Sequence, residues 1–258
     1  MKPTFLNQLR PFVTGMVLKE TADEVRYGVK NAIYEGADAL GIQLEKLKPE
    51  YKTEEYYRKM FAAAGQRPIY ITNYRGSGLS DEEGMEQLIT ALGCGATLGD
   101  VMGNTFDREA DMEMTYDPKA IDQQKKLIDR IHAMGKEVIM SSHVHRYIPA
   151  ETVLEIAHQQ RSRGADIVKI VTAANSDAEQ MENLRITTLL KQELDCPFLF
   201  LAGGTHSKIQ RMIGPMLGCF TYLAVAEHCA TAVSTQPTIR AAKAVRDNFD
   251  YMPDLIVE

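Results

Sequence analysis

Eight short runs dominated by apolar residues recur along the chain, and the stretches between them are long enough for amphipathic helices. The runs are Phe12 to Leu18, Ala39 to Leu44, Pro68 to Asn73, Thr97 to Met102, Glu137 to Ser142, Asp166 to Thr172, Pro197 to Ala202 and Cys219 to Val225. Runs of this kind read as strands covered on both faces, and strands alternating with helices indicate a parallel sheet built from crossover units. Eight units predict an α/β fold, a single (β/α)8 TIM barrel, for which 258 residues is an ordinary length. One barrel domain is expected over residues 1 to 258, with a short C-terminal tail from about residue 247. That tail ends in an apolar patch, suited to packing on the barrel or on a neighbouring subunit.

Helix signals support the same division. Asp117 before Pro118 supplies an N-cap and a first-turn proline, Ile121, Leu127, Ile128 and Ile131 fall near one face, and Gly135 stops the run. Pro149 opens the next helix and Arg163-Gly164 closes it before the sixth strand. Two connections stand out: Gly76 to Ser80 reads as a flexible loop, and Gly103 to Tyr116 is long for a strand-to-helix link. Barrels keep their sites in such loops, at the C-terminal ends of strands.

Bulk properties narrow the partners. A net charge of -6 argues against a broad surface for nucleic acid or anionic membrane, so a small molecule is expected. The N-terminus MKPTFLNQLRPF lacks a long apolar core, and no run of about 18 apolar residues occurs, so neither signal peptide nor membrane span is predicted and a cytoplasmic location is expected. Cys94, Cys196, Cys219 and Cys229 lie far apart without a C-x-x-C pair and read as free buried thiols rather than metal ligands or disulfides.

The sixth run, Gly164-Ala165-Asp166-Ile167-Val168-Lys169-Ile170, contains a lysine among aliphatic residues. Strand alternation places Ile167, Lys169 and Val171 on one face. An ammonium there is costly unless it is paired, loses its proton or reaches water at a strand end. One reading is a lysine that snorkels or bonds a carboxylate. The other is a Schiff-base nucleophile, since burial favours the neutral amine that attacks a ketone or aldehyde. The fifth run ends in Ser141-Ser142-His143-Val144-His145, so adjacent strands bring His143 to the same rim as Lys169, a base beside an electron sink. His145 lies further into the loop. His132 and His158 read as helix residues, and neither they nor His206 and His228 have partners at metal-ligand spacing.

These segments resemble the type I 3-dehydroquinate dehydratases, whose pattern is a serine and histidine near the end of the fifth strand and a Schiff-base lysine in the sixth. Val138-Ile139-Met140-Ser141-Ser142-His143, Pro149, and Gly164 to Lys169 carry the likeness, which extends from about residue 10 to about residue 250. By that resemblance Arg211, in Ser207-Lys208-Ile209-Gln210-Arg211, is the arginine for the substrate carboxylate, and Ala232 to Gln236 is the substrate-covering loop that supplies Ser234 and Gln236. Arg75 matches a further substrate arginine. Departures fall on the second strand, where Gly41 and Gln43 stand in place of an acid and a cation, and on the fourth, where Asp100-Val101-Met102 replaces Asp-x-Glu.

The resemblance implies a hydro-lyase that needs no metal or organic cofactor. Lys169 forms an iminium with a ring ketone, and His143 removes the α-proton and protonates the departing β-hydroxyl. It further implies 3-dehydroquinate as the leading substrate, a carboxylate; a place in the shikimate pathway of aromatic amino acid biosynthesis; and a homodimer. Two other readings stay open: a Schiff-base aldolase acting on a sugar phosphate, with Ala202-Gly203-Gly204-Thr205 as a phosphate turn, and a catalytically silent barrel that binds a small acid.

Overall fold

The computed structural model describes residues 2–7, 10–75, 78–229 and 234–249. Its strands are β1 Phe12–Val17, β2 Ala39–Gln43, β3 Ile69–Thr72, β4 Leu98–Met102, β5 Glu137–His143, β6 Ile167–Ala173, β7 Phe198–Gly203 and β8 Thr221–Ala224. Each expected strand is present, with ends shifted by no more than two residues. The helices that follow them are α1 Ala22–Tyr34, α2 Glu54–Ala62, α3 Asp81–Gly93, α4 Pro118–Ala133, α5 Ala150–Ser162, α6 Asp177–Glu193, α7 Lys208–Leu217 and α8 Ile239–Asn248.

All eight strands are parallel, in the order β7-β6-β5-β4-β3-β2-β1-β8. β7 and β8 meet at their starts, where Phe220 N–H donates to Phe198 O at 3.0 Å, so the sheet curls into a nearly closed barrel. A barrel leaves few sheet edges, and its strands are covered outside by helices and inside by one another's side chains. Leu40, Ile42, Leu88 and Leu92 are fully buried in the layer between strands and helices.

The N-terminal segment closes the floor of the barrel. Phe5 is 1% exposed and packs edge-on against Phe12 and Phe220, at the starts of β1 and β8, while its N–H donates to Glu137 at the start of β5. Any opening to the interior is therefore at the opposite end, where the strands finish.

The helix boundaries follow local chemistry. Asp117 Oδ1 accepts from Ala120 N–H at 2.9 Å and caps α4, with Pro118 in its first turn. α5 begins after Pro149 and ends at Arg163 before Gly164, whose φ of 101° suits glycine. Of the expected C-terminal tail, Asp247 and Asn248 belong to α8, and residues 250–258 lie outside the described residues. In the Gly76 to Ser80 loop, Ser80 caps α3 and residues 76–77 lie outside them. Among the described residues no helix is long and apolar enough to cross a membrane.

Candidate active site

Register places the two reactive candidates. β5 pairs with β6 so that Ser141 lies opposite Lys169 and His143 opposite Val171, which puts Ser141, His143 and Lys169 on one face of adjacent strands. That face is the barrel interior. The backbone at Lys169 is fixed from outside by Gln160 of α5, which accepts from Lys169 N–H at 3.0 Å and donates to Lys169 O at 3.1 Å.

Lys169 is 4% exposed, and its Nζ donates to Tyr74 Oη at 2.5 Å, Tyr70 Oη at 3.0 Å and Asp100 Oδ2 at 3.1 Å. Tyr70 is in β3, Tyr74 follows that strand, and Asp100 is in β4, so two neighbouring strands bring three polar groups to one ammonium. Asp100 also accepts from Ser141 Oγ at 2.5 Å, from Tyr74 Oη at 2.6 Å and from Tyr70 Oη. Burial alone would push the Asp100 carboxyl up, but the charge of Lys169 and the hydrogen bonds from Ser141, Tyr70 and Tyr74 outweigh it and hold the group below the ordinary carboxylate range. Burial, and then the charge of Asp100, push both phenols well above the usual tyrosine value, so they remain protonated donors. Of the states open to a buried lysine, the structure shows the paired one.

His143 closes β5 and is held by the long connection that follows β4. There Met112 and Glu113 adopt left-handed φ values of 56° and 49°, uncommon for residues other than glycine. Glu113 Oε2 accepts from His143 N–H at 2.9 Å and is 2.8 Å from Nδ1. Burial pushes the Glu113 carboxyl up, but the hydrogen bond and charge of His143 outweigh it and lower the group, so Glu113 is an acceptor only. Nδ1 therefore carries the proton in this pair, and Nε2 is the nitrogen left for chemistry. The His143 ring packs edge-on against Tyr74, centroids 5.0 Å apart, so one tyrosine touches both reactive candidates.

The connection is pinned from beneath. Arg163, 2% exposed, donates from its guanidinium to Gly103 O at 3.1 Å, Gln124 Oε1 at 2.7 Å and Thr115 O at 2.5 Å, and burial lowers its pKa to about 10. Gly103 permits the fold-back, since a Cβ there would lie 2.6 Å from Glu113 O.

The other expected site residues are more dispersed. Arg75 donates to both Asp81 oxygens at 3.0 and 2.7 Å and to Asn104 Oδ1 at 2.9 Å; held this way, it borders a cleft of about 560 Å³ that Arg108, Asp111, Glu113 and His143 also line. His145, exposed, lies on the same cleft. Arg211 is 7% exposed, donates from Nε to Ala202 O at the end of β7 at 2.6 Å, and meets no carboxylate among the described residues; burial lowers its pKa to about 10. Gln236 is buried before α8, its Oε1 without a hydrogen-bond partner among the described residues. Ser234 is exposed, Gln43 is half-buried at the end of β2, and residues 232 and 233 of the expected covering loop lie outside the described residues. Arg211, Gln236, Ser234 and Gln43 make no hydrogen bond to Lys169 or His143 among the described residues.

At the second strand the structure explains the departure. A Cβ on Gly41 would lie 2.2 Å from Met16 Sδ, so a methionine of β1 fills the space that an acid at this position requires. Two residues past Gln43, Glu45 accepts from Thr72 Oγ1 at 2.9 Å and Tyr74 N–H at 3.4 Å, with its pKa raised by burial.

Asp100, Tyr70, Tyr74 and Glu113 are the site residues that the sequence reading does not single out. Asp100 carries a signal, being a second charge in an apolar strand, the natural complement of Lys169. Glu113 carries none, because its approach to His143 depends on backbone angles in an irregular connection. Among the described residues no group of three or more His, Cys, Asp or Glu side chains is placed to hold a metal ion.

The type I 3-dehydroquinase family model matches residues 16–250. The 3-dehydroquinate dehydratase of Alkaliphilus oremlandii is 32% identical over 110 residues, 42% of this chain and 42% of that protein. That of Pyrococcus abyssi is 31% identical over 130 residues, 50% of this chain and 57% of the relative. The chain thus spans about half the length of the curated relatives it matches. Among solved structures, 3-dehydroquinate dehydratase from Geobacillus kaustophilus superposes with a TM-score of 0.79 at 18% identity, over 94% of this chain and 92% of that one. The type I enzyme from Clostridium difficile with covalently modified comenic acid gives 0.79 at 14% identity, over 94% of each chain. At these identities the likeness speaks for the barrel.

Proposed function

The chain belongs to the type I 3-dehydroquinase family, and from that premise we propose that it is a 3-dehydroquinate dehydratase, a hydro-lyase that removes water from a cyclic β-hydroxy ketone acid through a Schiff base on Lys169. The observation that carries this reading is the buried Lys169 ammonium bonded to Tyr74, whose ring lies against His143. An amine that sheds its proton in this setting attacks the ring ketone, and the resulting iminium draws electrons from the adjacent carbon. His143 takes the α-proton on Nε2, because Nδ1 is committed to Glu113, and returns it to the β-hydroxyl as that leaves as water. Hydrolysis then frees Lys169.

Arg211 supplies the cation for the substrate carboxylate: it is buried without a counter-charge among the described residues, and an incoming carboxylate completes it. Gln236 has an amide oxygen unused among the described residues and takes part in covering the ring, with Ser234 two positions before it in the chain. Arg75, immobilised by Asp81 and Asn104, offers a fixed positive edge to the cleft. Gln43 is the neutral neighbour at the β2 end. The reading carries with it a cytoplasmic homodimeric enzyme of the shikimate pathway, working within one barrel domain.

Turnover tests it. Incubated with 3-dehydroquinate, the protein should generate the conjugated-enone absorbance of 3-dehydroshikimate, and Lys169→Ala and His143→Ala should each lose at least about 100-fold. No enone from the intact protein, or an undiminished rate in either variant, would reject the proposal.

A further inference from the structure

Forming an iminium from a charged lysine is a proton-transfer problem as much as a carbon-nitrogen one. The nitrogen begins with three protons and ends with one; the ketone oxygen begins with none and leaves as water with two. The C–N bond forms, the C–O bond breaks, the net charge of +1 stays on nitrogen, and two protons cross from Nζ to an oxygen attached to the same carbon. His143 acts on a carbon-bound proton only after the iminium has formed and makes no hydrogen bond to Lys169 Nζ among the described residues, so the nitrogen-to-oxygen transfer calls for a group that touches Nζ.

Four side chains crowd that nitrogen or its counter-ion, and their placement distinguishes them. Asp100 and Ser141 are fully buried, and Asp100 is saturated by donors. Tyr70, 3% exposed, lies on the floor side and directs its hydroxyl to Asp100. Tyr74 follows β3 toward the mouth, is less buried than the other three, and packs on the His143 ring. Its hydroxyl accepts from Lys169 Nζ at 2.5 Å while donating to Asp100 at 2.6 Å, so it already stands in line between an N–H and an acceptor. An oxygen bonded to the same carbon as Nζ comes within reach of that hydroxyl.

We propose that Tyr74 is a further catalytic residue, whose hydroxyl relays both protons of Schiff-base formation from Lys169 Nζ to the departing carbonyl oxygen and runs the relay in reverse during hydrolysis. In each transfer the hydroxyl gives its own proton to oxygen and takes one from nitrogen, so Tyr74 ends unchanged and no outside acid is consumed. Its phenol stays protonated at rest because burial and Asp100 oppose the phenolate, which keeps the donor loaded. Asp100 holds the hydroxyl on line between turns.

The inference rests on the Schiff-base reading, and rapid-quench borohydride trapping with 3-dehydroquinate separates the two. The intact protein should give a Lys169 adduct; Tyr74→Phe should form it at least about 10-fold more slowly. In that variant, the isotope effect on turnover of substrate deuterated at the α-carbon should collapse toward unity, because iminium formation now limits. Trapping as fast in Tyr74→Phe as in the intact protein, or reduced turnover with the isotope effect retained, overturns the role of Tyr74 and leaves the Schiff base standing. No adduct on the intact protein overturns both. Should Tyr74→Phe not fold, adduct formation by the intact protein in mixtures of light and heavy water decides: a relay moving two protons bows the plot of rate against deuterium fraction, and a straight line counts against it.

Discussion

Lys169 Nζ lies 3.1 Å from Asp100 Oδ2, with the two side chains 5% and 0% exposed, and neither charge would be tolerable there alone. The sequence shows each charge in an apolar strand, but the pair is separated by 69 positions, and only closure of β4, β5 and β6 into one wall brings them together. Tyr74 was hidden for a similar reason: its hydroxyl gains meaning only beside an ammonium from another strand. Removing one partner of a buried pair leaves an uncompensated charge, so Lys169→Met and Asp100→Asn should each lower unfolding free energy by about 3–5 kcal/mol in urea titrations. The double variant should lose less than the sum of the two by about 1–3 kcal/mol. Strict additivity would mean the two charges do not share one environment.

At the scale of elements, the strands were legible because a barrel strand needs only a short apolar run, while their ends slipped by a residue or two because the ladder is set by pairing with the neighbouring strand, as where His143 extends β5 opposite Val171. The connection after β4 was legible as long, but its shape was not, since Glu113 reaches His143 through left-handed residues anchored by Arg163 from a distant helix end. The strand-two departure likewise needed coordinates: Gly41 reads as a lost acid in sequence and as room for Met16 in the fold. Arg163→Met would leave Thr115 O and Gln124 Oε1 without their donor, each worth about 1–3 kcal/mol when a buried group is left unpaired, while Gly103 O keeps Gln124 Nε2 and Thr115 N–H. Expected are a loss of about 2–4 kcal/mol, faster amide exchange across residues 103–116, and a fall in turnover as Glu113 loosens its hold on His143. Exchange unchanged across that segment would contradict the anchoring role.

At the scale of the whole molecule, a floor closed by Phe5 leaves the opposite rim, with its charged and phenolic groups, as the place for the proposed chemistry. That rim also shapes the response to acid. Asp81, Asp100 and Glu113 are each held below the ordinary carboxylate range, so the stability they contribute is present above the unfolded value of about 4 and is lost as pH falls through their lower folded values. Glu45 and Glu137, raised by burial, act in the opposite sense, favouring the folded state as pH falls toward their unfolded range. The urea midpoint should therefore drop on going from pH 4 into stronger acid, and drop less in the Lys169→Met, Asp100→Asn double variant; equal slopes would remove Asp100 from the account. The central claim is that this rim makes a covalent bond to a ketone at one lysine. Reduction with borohydride during exposure to 3-dehydroquinate, followed by peptide mass analysis, should show the substrate-derived mass on Lys169 and on no other lysine, and its absence, or its appearance on a different lysine, would contradict the claim.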